Sequence, residues 1–328
     1  IVSAYSMSIS ATAPLFYGGV PVFADLEPEY FCLDAKSIEK CITPRTKAIL
    51  IVDLFGQPYD ADAINRLAKQ HDLKIVEDCA QAPGASLSGR YAGTLGDIGV
   101  FSLNYHKHIH CGEGGVVITD DEDLAQRMRL IRNHAESVVA SNGCQDFSNM
   151  LGFNFRMTEI EAAIARKQLM KLGELLHIRR GNVAYLESQL DFIPGLKFPK
   201  IRDNAEHAYY VHALLWDENR TEVNRDRFIN AVRAELPVFE LRETEGCKIG
   251  YGYVKPLYTL PIFSEKNYPS NFTQQLSDYS SVCCPVVEDL HKNSLIHHEF
   301  MVPSMTFQDL GDVVDAFDKV WKNRHSLA

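Results

Sequence analysis

Three things this sequence lacks narrow the field. No apolar run approaches the roughly 20 residues needed to span a bilayer, and no signal-peptide succession of charged, apolar and small residues opens the chain. Basic residues are the minority, 33 against 43 acidic, for a net charge of −10. That balance argues against a nucleic acid or an anionic membrane as partner, since both reward basic patches. A small phosphorylated molecule needs only local donors and stays allowed. The eight cysteines are scattered through 328 residues, and only Cys283 and Cys284 are close. This is no disulfide framework, and reduced thiols in a cytoplasmic protein are expected. Internal repeats and low-complexity segments are also missing.

What is present is an alternation. Short apolar strands are predicted at Ile1–Tyr5, Val20–Ala24, Ala48–Val52, Leu73–Glu77 and Gly99–Leu103. Helices are predicted between them, from about Met7 to Tyr17 (stopped by Gly18-Gly19), over Asp34–Cys41 and over Ala61–His71. This pattern indicates an α/β fold with a mostly parallel sheet sandwiched by helices. Ligands of such sheets bind beyond the C-terminal strand ends, where Asp25, Asp53, Asp78 and Lys107 fall. A helix follows over Asp121–Glu136, then a polar loop over Ala140–Met150. Thr158–Leu190 is helical almost throughout, with a capping box from Thr158 to Glu161 and a possible interruption at Gly181. Past Pro194 the texture shifts to shorter elements, with a strand over Ala208–Trp216 and helices over Arg225–Glu235 and Asp309–Lys322. Prolines punctuate this region. We therefore expect a large domain over residues 1–185 and a smaller α+β domain over 186–328. The chain opens Ile1-Val2-Ser3, without an initiator methionine and inside a predicted strand. The native protein is expected to be longer at this end.

The chemistry centres on GVFSLNYHKHIHCGEGGVVITD, from Gly99 to Asp120. It places one lysine, Lys107, in a turn between two apolar strands, where burial would lower its pKa and make it a nucleophilic amine able to form a Schiff base. Asp78, in KIVEDCAQAPGAS, is delivered to the sheet edge by its strand. A carboxylate there could keep a pyridinium nitrogen protonated, as pyridoxal phosphate requires to act as an electron sink; it could equally cap the next turn. Gln81 could donate to a phenolic oxygen or a phosphate, or simply be solvated. Ser102, five residues before Lys107, is a plausible phosphate ligand, with Gly112–Gly115 allowing close backbone approach. His106, His108 and His110 would share one face of an extended strand, but no accompanying ligand pattern supports a metal, and none is expected. Asn154 and Arg156 precede a helix N-terminus, where an arginine can clamp a phosphate or serve an interdomain salt bridge.

Taken together, PVFADLEPEYFCLD, VEDCAQAPGA, GTLGDIGVFS, the run from the lysine to GEGG, GFNFRMTEIEAA and PLYTLPIF resemble one family. It is the DegT/DnrJ/StrS sugar aminotransferases of the aspartate-aminotransferase superfamily, fold type I. The segments span most of the chain in the family's order. Two spacings select the lysine: five residues from Ser102 to Lys107, and five from Lys107 to Gly112. Related sugar dehydratases carry histidine at this position.

The resemblance implies a pyridoxal 5'-phosphate enzyme. Lys107 would form the Schiff base, Asp78 would pair with the ring nitrogen, and Gln81 would contact the ring's oxygen substituent. Ser102 would bind the cofactor phosphate. Asn154 or Arg156 would reach the phosphate of a neighbouring subunit, making a homodimer with sites at its interface. Met7 falls where the family's ring-stacking aromatic usually stands, Pro83 replaces a common histidine, and Tyr210 takes the place of a substrate-side histidine found in some members. The implied reaction moves an amino group from an amino-acid donor, L-glutamate by analogy, to the keto group of a nucleotide-linked deoxysugar. Alternatives are a ketocyclitol aminotransferase, a sugar dehydratase, or a non-enzymatic cofactor-binding paralogue.

Overall fold

The computed structural model describes residues 1–135, 150–238, 248–265 and 278–327; of the loop expected over Ala140–Met150, all but Met150 lies outside them. The chain opens with β1 (Val2–Ser3), a single α-helical turn α1 (Ile9–Thr12), β2 (Phe23–Ala24), α2 (Ala35–Cys41), β3 (Ala48–Val52), α3 (Ala61–Gln70) and β4 (Lys74–Asp78). A small hairpin of β5 (Ser86–Leu87) and β6 (Arg90–Tyr91) leads to β7 (Ile98–Ser102), β8 (Gly115–Ile118) and α4 (Glu122–Arg132). These strands form a six-stranded sheet in the order β2-β1-β3-β4-β7-β8, parallel except for β8. It is the mostly parallel sheet that the alternation led us to expect.

Local sequence explains most of the elements. β3 is AILIV, apolar throughout, because a central parallel strand is covered on both faces. Asp60 starts α3 by accepting from the Ala63 amide. The helix expected from Met7 to Tyr17 is shorter, because Pro14 lacks the N–H that continues an α-ladder, and Ala13–Tyr17 winds on as a 3₁₀ turn closed by left-handed Gly18. The helix expected to reach Glu136 ends at Arg132, because His134 and Ala135 take positive φ.

Beyond this come α5 (Glu159–Leu169), α6 (Leu172–Leu190), β9 (Leu196–Lys197), β10 (Ala205–Glu206), β11 (His212–Trp216), α7 (Glu218–Thr221), α8 (Arg225–Glu235) and β12 (Ile249–Tyr251). The described chain closes with α9 (Pro261–Ser264), α10 (Pro285–Asp289), β13 (Leu295–His298) and α11 (Phe307–Lys322). Both halves of the Thr158–Glu161 capping box form. The break in the long helix is at Met170–Lys171, not at Gly181, which lies inside α6. Nothing stands within 4 Å of a Cβ added at Gly181. Its cost of about 1 kcal/mol relative to alanine is outweighed by the burial of Leu176, Val183, Leu186 and Leu190 along the same helix.

A second, antiparallel sheet has the order β12-β13-β11-β9. One hydrophobic cluster packs around the first sheet and reaches Val287, Leu290 and Leu295 of the later chain. Another, whose buried members lie between Leu186 and Val320, joins β11 and β13 to α6, α8 and α11, with Trp216 stacked on Phe228 at 4.5 Å. Arg225, almost fully buried, donates to the carbonyls of Leu290, His291, Lys292 and Leu295 and so closes the turn between α10 and β13.

Candidate active site

The parallel strands end along one edge, and register fixes what appears there: Val52 lies beside Asp78, and Asp78 beside Val100. β7 then continues to Ser102. This alignment demands glycine at position 99, where a Cβ would come within 2.2 Å of the Gly93 carbonyl oxygen.

Lys107 sits in a turn built by Asn104. The Asn104 carbonyl accepts the Lys107 amide at 2.9 Å, its Oδ1 accepts the His106 amide, and its Nδ2 donates to Glu113. The lysine side chain is half-buried, and its Nζ lies 4.4 Å from the centroid of the Tyr210 ring. Burial pushes the amine's pKa down, while the negative charge of Asp78 opposes the shift. The Asp78 carboxyl accepts the Ala80 amide at 3.1 Å and the Ser10 hydroxyl at 3.2 Å. Burial raises its pKa, and those two bonds and Lys107 pull it back. The strand ends thus bring together a weakened ammonium and a carboxylate held between two donors.

The remaining expected residues divide. Gln81 is buried, accepts the Phe55 amide at 2.7 Å and donates to the Tyr253 hydroxyl at 3.0 Å, so one of its two amide hydrogens is committed. Ser102 Oγ accepts the Asn104 amide at 3.3 Å. Met7 is 68 % exposed. Asn154 and Arg156 are exposed and bond elsewhere: Asn154 bridges to Asn133, and Arg156 donates to the Asn133 side chain at 2.7 Å. The three histidines share no face, because their backbone turns instead of extending; His106 is half-buried, His108 buried and His110 exposed.

Two of the three strand-end aspartates do other work. Asp25 accepts the amides of Val286 and Val287 and so caps α10. Asp53 is fully buried and accepts the Tyr59 amide. Burial and the adjacent Glu77 carboxylate push its pKa well up. Asp53, Glu77 and Cys79 are the one His/Cys/Asp/Glu trio among the described residues whose ligand atoms all lie within 4.8 Å of one another, and all three are buried.

Ser10 and Tyr253 were missed as contributors to this region, and His108 was read only as one of three alternating histidines lining a polar site or packing. Ser10 gave a faint signal as a hydroxyl in the small-residue helix after β1. His108 and Tyr253 are identified only by contacts across long sequence separations. The strand expected over Ala208–Trp216 begins at His212, because the amides of Ala208 and Tyr210 go to the carbonyls of Gly56 and Phe55.

The sequence profile of the DegT/DnrJ/EryC1/StrS aminotransferase family matches residues 1–316. Among curated relatives, GDP-perosamine synthase of Caulobacter vibrioides is 37 % identical over 73 % of this chain and 64 % of its own length. The L-glutamine:2-deoxy-scyllo-inosose aminotransferase of Streptomyces lividus is 31 % identical over 100 % of this chain and 77 % of its own. Of solved structures, an aminotransferase from Psychrobacter cryohalolentis superposes with a TM-score of 0.82 at 27 % identity, covering 99 % of this chain and 81 % of that one. S. venezuelae DesV, in complex with a ketimine intermediate, gives 0.79 at 28 % identity over 98 % and 78 %.

Proposed function

The chain belongs to the DegT/DnrJ/EryC1/StrS aminotransferase family and is an enzyme of that class, and from this premise we propose that it holds pyridoxal 5'-phosphate on Lys107. In this reading it carries an amino group from L-glutamate to the keto group of a nucleotide-linked deoxysugar. The observation that bears most weight is the placement of Lys107 just beyond β7 and Asp78 at the end of adjacent β4, on the same sheet edge. The donor set suits the cofactor: an amine with a lowered pKa, a carboxyl kept in place by Ser10 and Ala80, and the Ser102 hydroxyl at the neighbouring strand end.

When bound, the cofactor supplies an aldehyde that condenses with amines and a protonated ring that takes up an electron pair. The rest falls to the chain. Asp78 would hold the ring nitrogen's proton, since a carboxylate and a cation in contact attract by about 4 kcal/mol at an effective dielectric of 20. Lys107 Nζ would serve as the general base that takes the proton from the donor's α-carbon and as the general acid that delivers it to the carbon receiving it. Its lowered pKa suits both directions. Ser102 and the turn at Gly112, where nothing stands within 4 Å of an added Cβ, would receive the phosphate, and Gln81 would offer its second amide hydrogen to the ring oxygen.

We read the active unit as a homodimer. Phe16, Tyr17, Leu151 and Phe155 are exposed apolar residues on one patch, joined through Phe153 by ring contacts at 6.3 and 4.7 Å and by the Tyr17 hydroxyl on the Leu151 carbonyl. Exposed patches of this kind mark association surfaces. Asn154 and Arg156 stand beside it in the chain and in this reading would reach a partner's cofactor phosphate. The division at residues 185/186 into a cofactor-binding part and a smaller part draws support from the second core. The six cysteines among the described residues are unpaired, which suits a reducing compartment, the cytoplasm in this reading. No described helix is long and apolar enough to cross a membrane.

The test is the visible absorbance of the protein with added cofactor, before and after glutamate. The Schiff-base band should form, and glutamate should discharge it. Lys107→Ala should abolish the band, and a band unchanged in that variant would refute the assignment.

A further inference from the structure

Residues 207–210 are held by more bonds than a connecting stretch needs. Three successive carbonyls each accept from a different side chain: Arg180 Nε donates to His207 at 3.0 Å, His108 Nε2 to Ala208 at 2.9 Å, and Arg179 Nη1 to Tyr209 at 2.8 Å. From the other side, the Ala208 and Tyr210 amides donate to Gly56 and Phe55 at 2.9 and 2.8 Å. Tyr209 has φ of +50°, and its amide rests on His207 Nδ1. An aromatic residue in the left-handed region persists only where its surroundings over-determine it. Gly56, itself at φ +104°, lets the segment lie close; a Cβ there would stand 2.7 Å from the Tyr209 nitrogen.

This bracing has one visible product at the site, the Tyr210 ring 4.4 Å from Lys107 Nζ. His108 follows Lys107 directly in sequence, so the bond to Ala208 ties the lysine turn to the segment that carries the ring. His108 must donate from Nε2 to a carbonyl, which leaves Nδ1 as the bare nitrogen; that atom is buried without a hydrogen-bond partner. A histidine held in this single tautomer, its charging opposed by burial and by Arg179, is a fixed strut and no proton carrier.

We propose that His108, Arg179 and Arg180 are positioning residues that brace residues 207–210 so that the Tyr210 ring faces the Lys107 amine and sets how firmly that amine keeps its proton. The inference rests on the reading of Lys107 as the reactive amine and adds what tunes it. A cation over an aromatic face is stabilised by the ring's quadrupole. Asp78 acts in the same direction as the ring, burial in the opposite one, and neutral His108 contributes no charge. Tyr210 thereby offsets part of the desolvation of Lys107 and gives the displaced amine a place to rest beside the reacting centre.

The experiment titrates Lys107 in the full chain before cofactor is added, using trace acetylation by acetic anhydride across pH and mass spectrometry of the Lys107 peptide. Tyr210→Leu should lower the labelling midpoint by about half a pH unit to one and a half, whereas Tyr210→Phe, which keeps the aromatic face, should leave it in place. His108→Ala should shift it in the same direction, and His108→Gln, whose amide nitrogen can reach the Ala208 carbonyl, should restore it. An unmoved midpoint in folded Tyr210→Leu overturns the proposal. Should His108→Ala fail to fold, the two Tyr210 variants decide alone. Because the labelling needs no cofactor, this outcome is separate from the Lys107→Ala absorbance test, whose failure would instead remove the functional reading.

Discussion

The stability advantage of Asp53→Asn over the parent should grow as pH rises, for a reason the buried acid pair dictates. Asp53 is fully buried beside Glu77, whose Oε2 accepts the Leu95 and Gly96 amides while Oε1 has no donor. A proton on Asp53 answers that vacancy, and burial together with the neighbouring carboxylate holds it there far above the ordinary range. The folded state therefore carries one more proton than the unfolded state between the ordinary carboxylate value and the raised one. Stability from this pair is complete below the unfolded value and drains away as pH climbs towards the folded value, at about 1.4 kcal/mol per pH unit. Asparagine keeps the shape, keeps an oxygen for the Tyr59 amide and gives Glu77 a permanent N–H donor, so the slope disappears. Urea unfolding at pH 5, 6, 7 and 8 should show the variant gaining on the parent as pH rises, by at most about 1.4 kcal/mol per unit and only until the raised folded-state value is passed. Parallel stability curves, or a variant losing ground as pH rises, would refute the shared-proton reasoning.

Two further outcomes are expected. Arg225→Leu strips donors from four carbonyls, two of them in buried bonds, and should destabilise the fold by about 3–5 kcal/mol, read as a lower urea midpoint; Arg225→Lys, with no planar fork, should recover only part of this. Asp78→Asn should retain cofactor binding through Lys107 but lose turnover by about two orders of magnitude or more, measured as glutamate-dependent discharge of the absorbance band in stopped flow.

Elements set by near neighbours could be read directly. The AILIV strand, the Thr158 cap and the Gly18 stop are each decided within a few residues, and local rules found them. The strand-end aspartates show where such reading stops. Asp25, Asp53 and Asp78 look alike in sequence, yet Asp25 meets amides 261 residues away, Asp53 meets Glu77 across the sheet, and Asp78 meets Ser10. Only assembly separates a cap, a buried acid and a site residue. The same holds for His108, which looked like one of three alternating histidines and is instead a strut against Ala208. The helix break at Met170–Lys171 was misplaced because glycine draws attention, while the buried leucines that carry α6 past Gly181 are spread over several turns.

The Asp25 cap also bears on the order in which the chain becomes structured. Helices much shorter than about 12–15 residues are marginal in isolation, and α10 has five. Its first amides are satisfied by a carboxylate that exists in the right place only once β2 has joined the sheet. The turn after α10 is in turn closed by Arg225, whose helix packs on the second core. Late segments of this chain thus depend on templates laid down by early ones. A polypeptide emerging from its N-terminus would find those templates ready, whereas one refolding from full length must build them first.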